Sequence, residues 1–296
     1  MTILYAWAKI ASTVRSFFPI FVLACCVARA QAPVHVDFQC TGDDIDYFGL
    51  ACTEEVPCPV YLELSSLVSA GMRLFITGNF HTAEVTLYSI LLMSPDEGKT
   101  WTEPYPRIRS ASLGDILFVN LEKGWASGET VQSLPRNPFF LITADGGKTW
   151  QQQPVFEEDR VGTIAQFWFD SPNSGSVVIQ SGSKNELYET MTGGSTWSVR
   201  QVTDNPIRLK QSVEPSPGWR LRADAATKTY RVEKQEGAQW RRFASFPIHV
   251  SDCKPGEAAP PPPPTQAAPP QTDAPPPEAP RAPRKPPSLK KPGDSP

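Results

Sequence analysis

The sequence predicts an all-β fold assembled from repeated units, and three observations support that prediction. Tryptophan recurs at Trp101, Trp150, Trp197 and Trp240, with spacings of 49, 47 and 43 residues. Short runs rich in β-branched and aromatic residues precede each of these positions, and no long stretch shows a helical period. A repeat of roughly 40 to 50 residues is the length of one four-stranded propeller blade. We therefore expect a small β-propeller of about four to five blades.

Each tryptophan ends a recurring eight-residue segment, which we call the repeat turn. Ser94–Trp101 aligns without gaps on Thr143–Trp150, and Thr190–Trp197 is a third copy with Thr192 in the place of the aspartate. The fourth copy, Glu233–Trp240, is degenerate. The positions expected to build these turns are Ser94, Asp96, Gly98, Trp101, Thr143, Asp145, Gly147, Trp150, Thr190, Gly194, Trp197, Gly237 and Trp240.

The composition of the repeat turn indicates a role in folding rather than in chemistry. Gly98 and Gly147 can adopt the positive φ that a tight strand connection requires. The aspartate can accept hydrogen bonds from the backbone of its own turn. The tryptophan covers apolar surface, which contributes about 2–3 kcal/mol when it is well buried. Because each turn supplies one carboxylate and calcium takes roughly six to eight oxygens, we expect no metal and no cofactor.

Strand-like runs divide the centre of the chain into units. One run precedes each repeat turn, at residues 88–93, 139–142, 186–189 and 229–232. Further upstream in the first three units lie pairs of short strands, at residues 61–67 and 73–77, 116–120 and 124–128, and 164–169 and 176–179. Residues 246–250 are a candidate closing strand. The predicted domain therefore spans residues 33–254.

The N-terminus has the features of a segment that directs export. Lys9 and Arg15 precede an apolar run, residues 16–28, and Ala28-Arg29-Ala30 is a small-x-small cleavage pattern. The run is shorter than the roughly 20 residues that cross a bilayer, so we expect residues 1–30 to be a cleaved signal peptide. An alternative is that Val22-Leu23-Ala24-Cys25 is a lipobox, which would make Cys25 a lipid anchor and the only membrane contact.

Four cysteines remain after the signal peptide: Cys40, Cys52, Cys58 and Cys253. An even number in an oxidising compartment indicates two disulfides, for which three connectivities exist. We prefer a local Cys52–Cys58 bridge and a long-range Cys40–Cys253 bridge, which would join the start of the domain to its end. The spacings do not fit a zinc finger or ribbon.

The C-terminal segment, residues 255–296, differs in composition from the rest of the chain. It holds 17 of the 32 prolines, including the unbroken run of residues 260–264. Such a segment cannot form a core and favours polyproline II, so we expect a disordered tail. The net charge of −3 and the sequence pI of about 5.7 give no reason to expect a nucleic-acid partner.

The repeat turn S/T-x-D-x-G-x-T-W resembles the Asp-box of bacterial neuraminidase repeats. The longer second unit, which combines Ile116-x-Phe118-Val119 and Gly124-Trp125-Ala126 with Thr143–Trp150, is similar more specifically to the photosystem II stability/assembly factor family. The resemblance covers roughly residues 60–245. It implies a non-enzymatic propeller in the periplasm or thylakoid lumen. Because the Asp-box also occurs in sialidases and sorting-receptor propellers, it indicates the fold more specifically than the function.

Three functional hypotheses follow. The first is a monomeric module, periplasmic or extracellular, that binds a protein or glycan partner through loops rich in arginine and aromatic residues. The arginines expected to contact the partner are Arg107, Arg109, Arg136 and Arg160. The second is a sialidase-like glycoside hydrolase, but Pro106-Arg107-Ile108-Arg109 departs from the sialidase Arg-Ile/Leu-Pro order and no catalytic set is evident. The third is a structural protein tethered in the envelope by its tail.

Overall fold

The computed structural model describes residues 32–132, 134–209 and 216–255. The predicted signal peptide and lipobox, and all of the predicted tail beyond Pro255, lie outside these residues. The described part contains one helix, α1 (Gly42–Phe48). Its strands are β1 (Cys58–Ala70), β2 (Arg73–His81), β3 (Thr86–Ser94), β4 (Ala111–Phe118), β5 (Gly124–Val131), β6 (Pro135–Thr143), β7 (Gln151–Pro154), β8 (Thr163–Phe169), β9 (Gly175–Ser181), β10 (Lys184–Thr190), β11 (Ser198–Thr203), β12 (Trp219–Asp224), β13 (Thr229–Glu236), β14 (Gln239–Pro247) and β15 (His249–Cys253).

These strands form four antiparallel sheets that follow one another along the chain. The first sheet has the order β15-β1-β2-β3, the second β4-β5-β6-β7, the third β8-β9-β10-β11 and the fourth β12-β13-β14. Within each sheet nearly all neighbours are consecutive in sequence, so short connections suffice. This is the blade-by-blade arrangement of a small β-propeller, and the all-β prediction is confirmed.

The last strand completes the first sheet. β15 pairs with the start of β1, with Cys58 opposite Cys253 and Val60 opposite Ser251. The predicted closing strand, residues 246–250, is therefore displaced: Phe246 still belongs to β14, and closure begins at His249. The two disulfides are Cys40–Cys253 and Cys52–Cys58, the pairing that the sequence favoured.

Apolar side chains between the sheets form three buried clusters. Phe80 of the first sheet packs with Phe246 of the fourth, and Phe75 of the first packs with Leu141 of the second. Between the second and third sheets, Trp125 stacks on Phe169 with ring centroids 3.7 Å apart. Each fully buried side chain of this size contributes about 2–3 kcal/mol, so the contacts between blades are a main source of stability.

The segment before β1 contains a short helix that the sequence did not predict. Thr41 caps α1: its hydroxyl accepts from the Asp44 backbone N–H, while the Asp44 carboxylate accepts from the Thr41 backbone N–H at 2.9 Å. Gly49 ends the helix with φ 63°. The helix lies against the first sheet, where Phe48 contacts the ring of Tyr88.

Candidate binding groove and its supporting clusters

The first two repeat turns are held by the same set of hydrogen bonds. Asp145 Oδ1 accepts the backbone N–H groups of Lys148 and Thr149, both at 3.0 Å, and its Oδ2 accepts the Thr149 hydroxyl at 2.6 Å. The Trp150 indole N–H donates to the Gly147 carbonyl at 3.1 Å. These bonds, the Thr149 hydroxyl first, lower the pKa of Asp145 to about 2.

Asp96 is bound in the same way in the first turn. Its carboxylate accepts from Lys99 and Thr100, and Trp101 donates to Gly98. Since both aspartates are occupied by their own turns, their bonds serve the local fold.

In the third repeat turn, two bonds of the earlier turns have no counterpart in the described part of the chain: that of the Lys148 backbone N–H and that of the Trp150 indole. Thr190 accepts the Gly194 N–H at 3.0 Å, and the Thr192 hydroxyl accepts the Thr196 N–H at 2.9 Å in place of an aspartate. The indole Nε1 of Trp197 is buried and has no hydrogen-bond partner among the described residues. Trp197 is therefore held by stacking, with its ring centroid 5.7 Å from that of Phe140.

The fourth copy of the repeat adopts a different connection. β13 continues to Glu236 and β14 begins at Gln239, so only a two-residue hairpin turn separates them. Gly237 has φ 62°, as such a turn requires. Trp240 lies within β14, half-exposed, with the Arg220 guanidinium 4.1 Å from its ring centroid.

Two of the four arginines expected to contact a partner lie beside the first sheet. Arg109 donates to the Asp44 carboxylate at 2.9 Å and to the Tyr88 hydroxyl at 2.8 Å, and its guanidinium lies 4.7 Å from the Tyr47 ring centroid. Burial opposes ionisation of Asp44, but hydrogen bonds from Tyr88 and Thr41 and the charge of Arg109 outweigh it and lower its pKa. The cluster thereby fixes α1 to the loop after the first sheet.

Arg107, in the same loop, is also engaged within the molecule. It forms an ion pair with Glu103 at 2.6 Å, donates to the Asp37 carbonyl at 2.7 Å and stacks 4.4 Å above the Phe80 ring. Stacking and hydrogen bonds of this kind hold the planar guanidinium in one orientation. The loop is thus anchored at two arginines.

Arg160 anchors the loop between the second and third sheets. It donates to both carboxylate oxygens of Glu186, one of them at 2.7 Å, and to the Tyr188 hydroxyl at 2.8 Å. Its guanidinium covers the ring of Phe156 at 4.5 Å, and that ring contacts Tyr188. Because Nη2 donates to Glu186 and Nη1 donates to Tyr188, the guanidinium plane is fixed by two side chains, so this cluster sets the path of residues 155–160.

Arg136 has the weakest internal attachment of the four arginines. Its one ion pair in the described part of the chain is with the exposed Asp159, at 3.3 Å. An exposed pair of this kind contributes little to stability, about 0–1 kcal/mol. The Arg136 guanidinium is therefore the most available of the four for contact with another molecule.

A groove of about 680 Å³ lies between the second and third sheets. One wall is the end of β7 and the loop that Arg160 anchors, and the other is the third repeat turn with Trp197. Its lining consists of residues 153–160 and 195–197. Apolar surface comes from Pro154, Val155, Phe156 and Trp197, and the acidic residues 157–159 are exposed along it. The volume is in the usual range for ligand sites, about 300–1,000 Å³.

The sequence showed the loop and the turn as separate features but did not indicate that they share a groove. Glu186 and Tyr188 were also missed, because they lie 26 and 28 residues from Arg160. Their position on one face of β10, two residues apart, was the available signal.

Tyr188 and Glu186 also form a Tyr–Glu pair of the kind that a glycosidase could use. The Tyr188 hydroxyl donates to Glu186 at 2.6 Å, but burial and then this hydrogen bond raise the pKa of Tyr188. Among described residues a single arginine, Arg160, donates to the pair.

The described residues contain no group of three or more His, Cys, Asp or Glu placed to hold a metal ion. Within the same residues, no helix has the length and apolar character needed to span a bilayer.

The four meandering sheets define a member of the β-propeller class. No protein-family model matches the chain, and no curated protein matches it either. Among solved structures it is similar to YCF48 bound to D1 peptide (17% identity, TM-score 0.36), with 63% of this chain and 56% of that chain covered.

Two further solved structures are similar at the same level. For YCF48 from Cyanidioschyzon merolae the identity is 17%, the TM-score 0.35, and the coverage 63% of this chain and 58% of that chain. For the GH74 enzyme of Niastella koreensis the identity is 15%, the TM-score 0.31, and the coverage 61% of this chain and 30% of that chain. The chain thus spans a little over half of the length of the two YCF48 chains.

Proposed function

We propose that this chain is an exported, non-enzymatic binding module that recognises a protein partner through the loops between its sheets. The observation that carries the proposal is the groove beside Trp197, one wall of which is a loop fixed by the Arg160–Glu186–Tyr188 cluster. A wall held in place before binding loses less conformational entropy on association than a mobile loop does.

Export is supported by the disulfides. Bridges such as Cys40–Cys253 and Cys52–Cys58 persist in oxidising compartments outside the cytosol. The proposal includes residues 1–30 as a signal peptide, residues 33–254 as the binding domain and residues 255–296 as a tail.

The four arginines take two different roles in this proposal. Arg107, Arg109 and Arg160 position the loops through internal ion pairs and aromatic contacts. Arg136, whose partner Asp159 is itself exposed, contacts the partner directly. Arginine at the edge of an interface contributes mainly to orientation and association rate.

Site-specific photo-cross-linking of the full chain in its native envelope tests the proposal. A photoreactive residue at Glu157, beside the groove, should give a discrete protein adduct, whereas one at Glu54, an exposed acidic position outside the groove lining, should not. A second photoreactive position at Arg136, near the start of β6, tests the contact proposed for this arginine. Absence of adducts from both positions, or hydrolysis of a sialoside or glycoside panel by the purified protein, would overturn the proposal.

A further inference from the structure

The charge along the groove is one-sided. Glu157, Glu158 and Asp159 are exposed on it, and the side chains of Glu157 and Glu158 form no ion pair with the described residues. The one arginine in the lining, Arg160, has its charge matched by Glu186, whose two carboxylate oxygens both accept from Nη2. The groove therefore offers net negative charge to whatever enters it.

The apolar part of the lining is built from flat and rigid side chains. Phe156 is held between the Arg160 guanidinium, 4.5 Å from its centroid, and the Tyr188 ring, 5.2 Å away. Trp197 faces the same groove from the third repeat turn, and Pro154 and Val155 complete the wall. Aromatic-lined grooves of this kind bind extended proline-containing segments, because the polyproline II conformation is preformed and loses little entropy on docking.

Trp197 differs in its hydrogen bonding from the tryptophans of the first two repeat turns. The tryptophans of the first two repeat turns donate their indole N–H to Gly98 and Gly147, but that of Trp197 finds no acceptor in the described part of the chain. A buried donor without a partner costs about 1–3 kcal/mol. The Trp197 ring on this wall is therefore held by its contacts with Phe140 and Phe169 rather than by a hydrogen bond of its indole.

We propose that this groove binds an extended segment of a partner protein that contains proline and carries positive charge. This assignment rests on the binding function proposed above and specifies its site and the chemistry of its partner. The aromatic wall selects the polyproline II backbone, and the carboxylates of Glu157 and Glu158 select lysine or arginine side chains between the prolines.

Fluorescence anisotropy with the full, oxidised chain tests the assignment. The probe is a labelled nonapeptide of three Pro-Pro-Arg repeats. Pro-Pro-Glu and Gly-Gly-Arg nonapeptides separate the contribution of charge from that of proline. We expect the Pro-Pro-Arg peptide to bind at least tenfold more tightly than either comparison peptide, and its affinity to fall as salt is added because the carboxylates are exposed. Equal binding of the Gly-Gly-Arg or Pro-Pro-Glu peptide would overturn the assignment.

Paired variants locate the binding. Removing both rim charges with Glu157→Gln/Glu158→Gln should weaken Pro-Pro-Arg binding about fivefold, since exposed pairs contribute about 0.2–1 kcal/mol each. The matched control, Glu54→Gln/Glu55→Gln, removes an exposed acidic pair outside the groove lining and should bind as the wild type does. Equal affinities for the two double variants would contradict the assignment.

Trp197→Phe replaces the indole of the groove wall with a smaller ring and so reduces its flat apolar surface, and we expect binding about threefold weaker or more. Wild-type affinity in this variant also contradicts the proposed position of the peptide. If a neutral oligosaccharide such as cellohexaose displaces the peptide, the groove is a glycan site instead. Loss of peptide binding with retained photo-cross-links at Glu157 and Arg136 would refute the peptide chemistry alone, whereas loss of both refutes the binding function.

Discussion

The Cys40–Cys253 bridge should stabilise the domain more than the Cys52–Cys58 bridge does. The two bridges join residues 213 and 6 positions apart. In the chain-entropy description, closing the longer loop contributes about 5 kcal/mol and closing the shorter one about 2 kcal/mol. Replacing the long-range pair by alanine should therefore cost about 3 kcal/mol more free energy of unfolding than replacing the local pair.

Urea denaturation of the Cys40→Ala/Cys253→Ala and Cys52→Ala/Cys58→Ala proteins measures this difference. With a slope of about 1–3 kcal/mol per molar urea, the long-range variant should unfold at a midpoint lower by about 1 M or more than the local variant. The urea midpoint of wild-type protein treated with reductant should equal that of the long-range variant or lie below it. Equal losses for the two variants, or a larger loss for the local one, would refute the argument from loop closure.

Three further predictions concern the repeat turns and the arginine clusters. Gly147→Ala should lower the free energy of unfolding, measured by heat or urea, by about 2–4 kcal/mol, because φ at this position is 83° and the new Cβ would overlap a buried phenylalanine ring. Gly237→Ala is the control: φ there is 62° but no atom lies near the new Cβ, so the loss should be about 1 kcal/mol. Arg160→Ala should destabilise the protein by about 2 kcal/mol, because it leaves a largely buried carboxylate without its charged partner. Arg136→Ala should change the stability by about 0.5 kcal/mol or less, because the partner of Arg136 is exposed. Similar losses in the two variants would contradict the distinction between an anchoring Arg160 and an available Arg136. The pKa of Asp145 is lowered from 3.8 to about 2, so its carboxylate contributes to the free energy of unfolding fully above pH 3.8, and this contribution is lost as the pH falls towards 2. The Asp145→Asn protein should therefore lose less unfolding free energy over that pH range than the wild type does. Parallel curves of unfolding free energy against pH for the two proteins would count against this prediction.

The repeat architecture could be predicted because its signals are local. The spacing of the tryptophans and the short apolar runs before them, such as Phe139 to Ile142, depend on strand geometry that any blade must satisfy. The positions of three cysteines near one end of the domain and one near the other predict one local and one long-range bridge, and the preferred of the three connectivities is the one observed. In each case, residues close in sequence or near the two ends of the domain carried the information.

The groove and the arginine clusters could not be predicted, because their members meet only after the sheets pack. Arg109 reaches Asp44 across 65 residues, and nothing in the sequence around either residue marks the other as its partner. The four arginines looked alike as exposed loop residues. In the structure the four arginines differ in the carboxylates that they bind. Arg107, Arg109 and Arg160 are anchored within the molecule, whereas the ion pair that Arg136 forms among the described residues is with an exposed aspartate.

The pairing of β15 with β1 has a consequence for how the protein is made. A chain synthesised from its N-terminus presents β1 long before Cys253 exists, so the edge of the first sheet stays open and the Cys40 thiol stays free until the last strand arrives. Cys52 and Cys58 can join as soon as both have emerged, which removes the two nearest wrong partners for Cys40. Only a chain that includes Cys253 can cover this edge of β1 and close the Cys40–Cys253 bridge, so the last strand completes both the first sheet and its covalent link to the start of the domain.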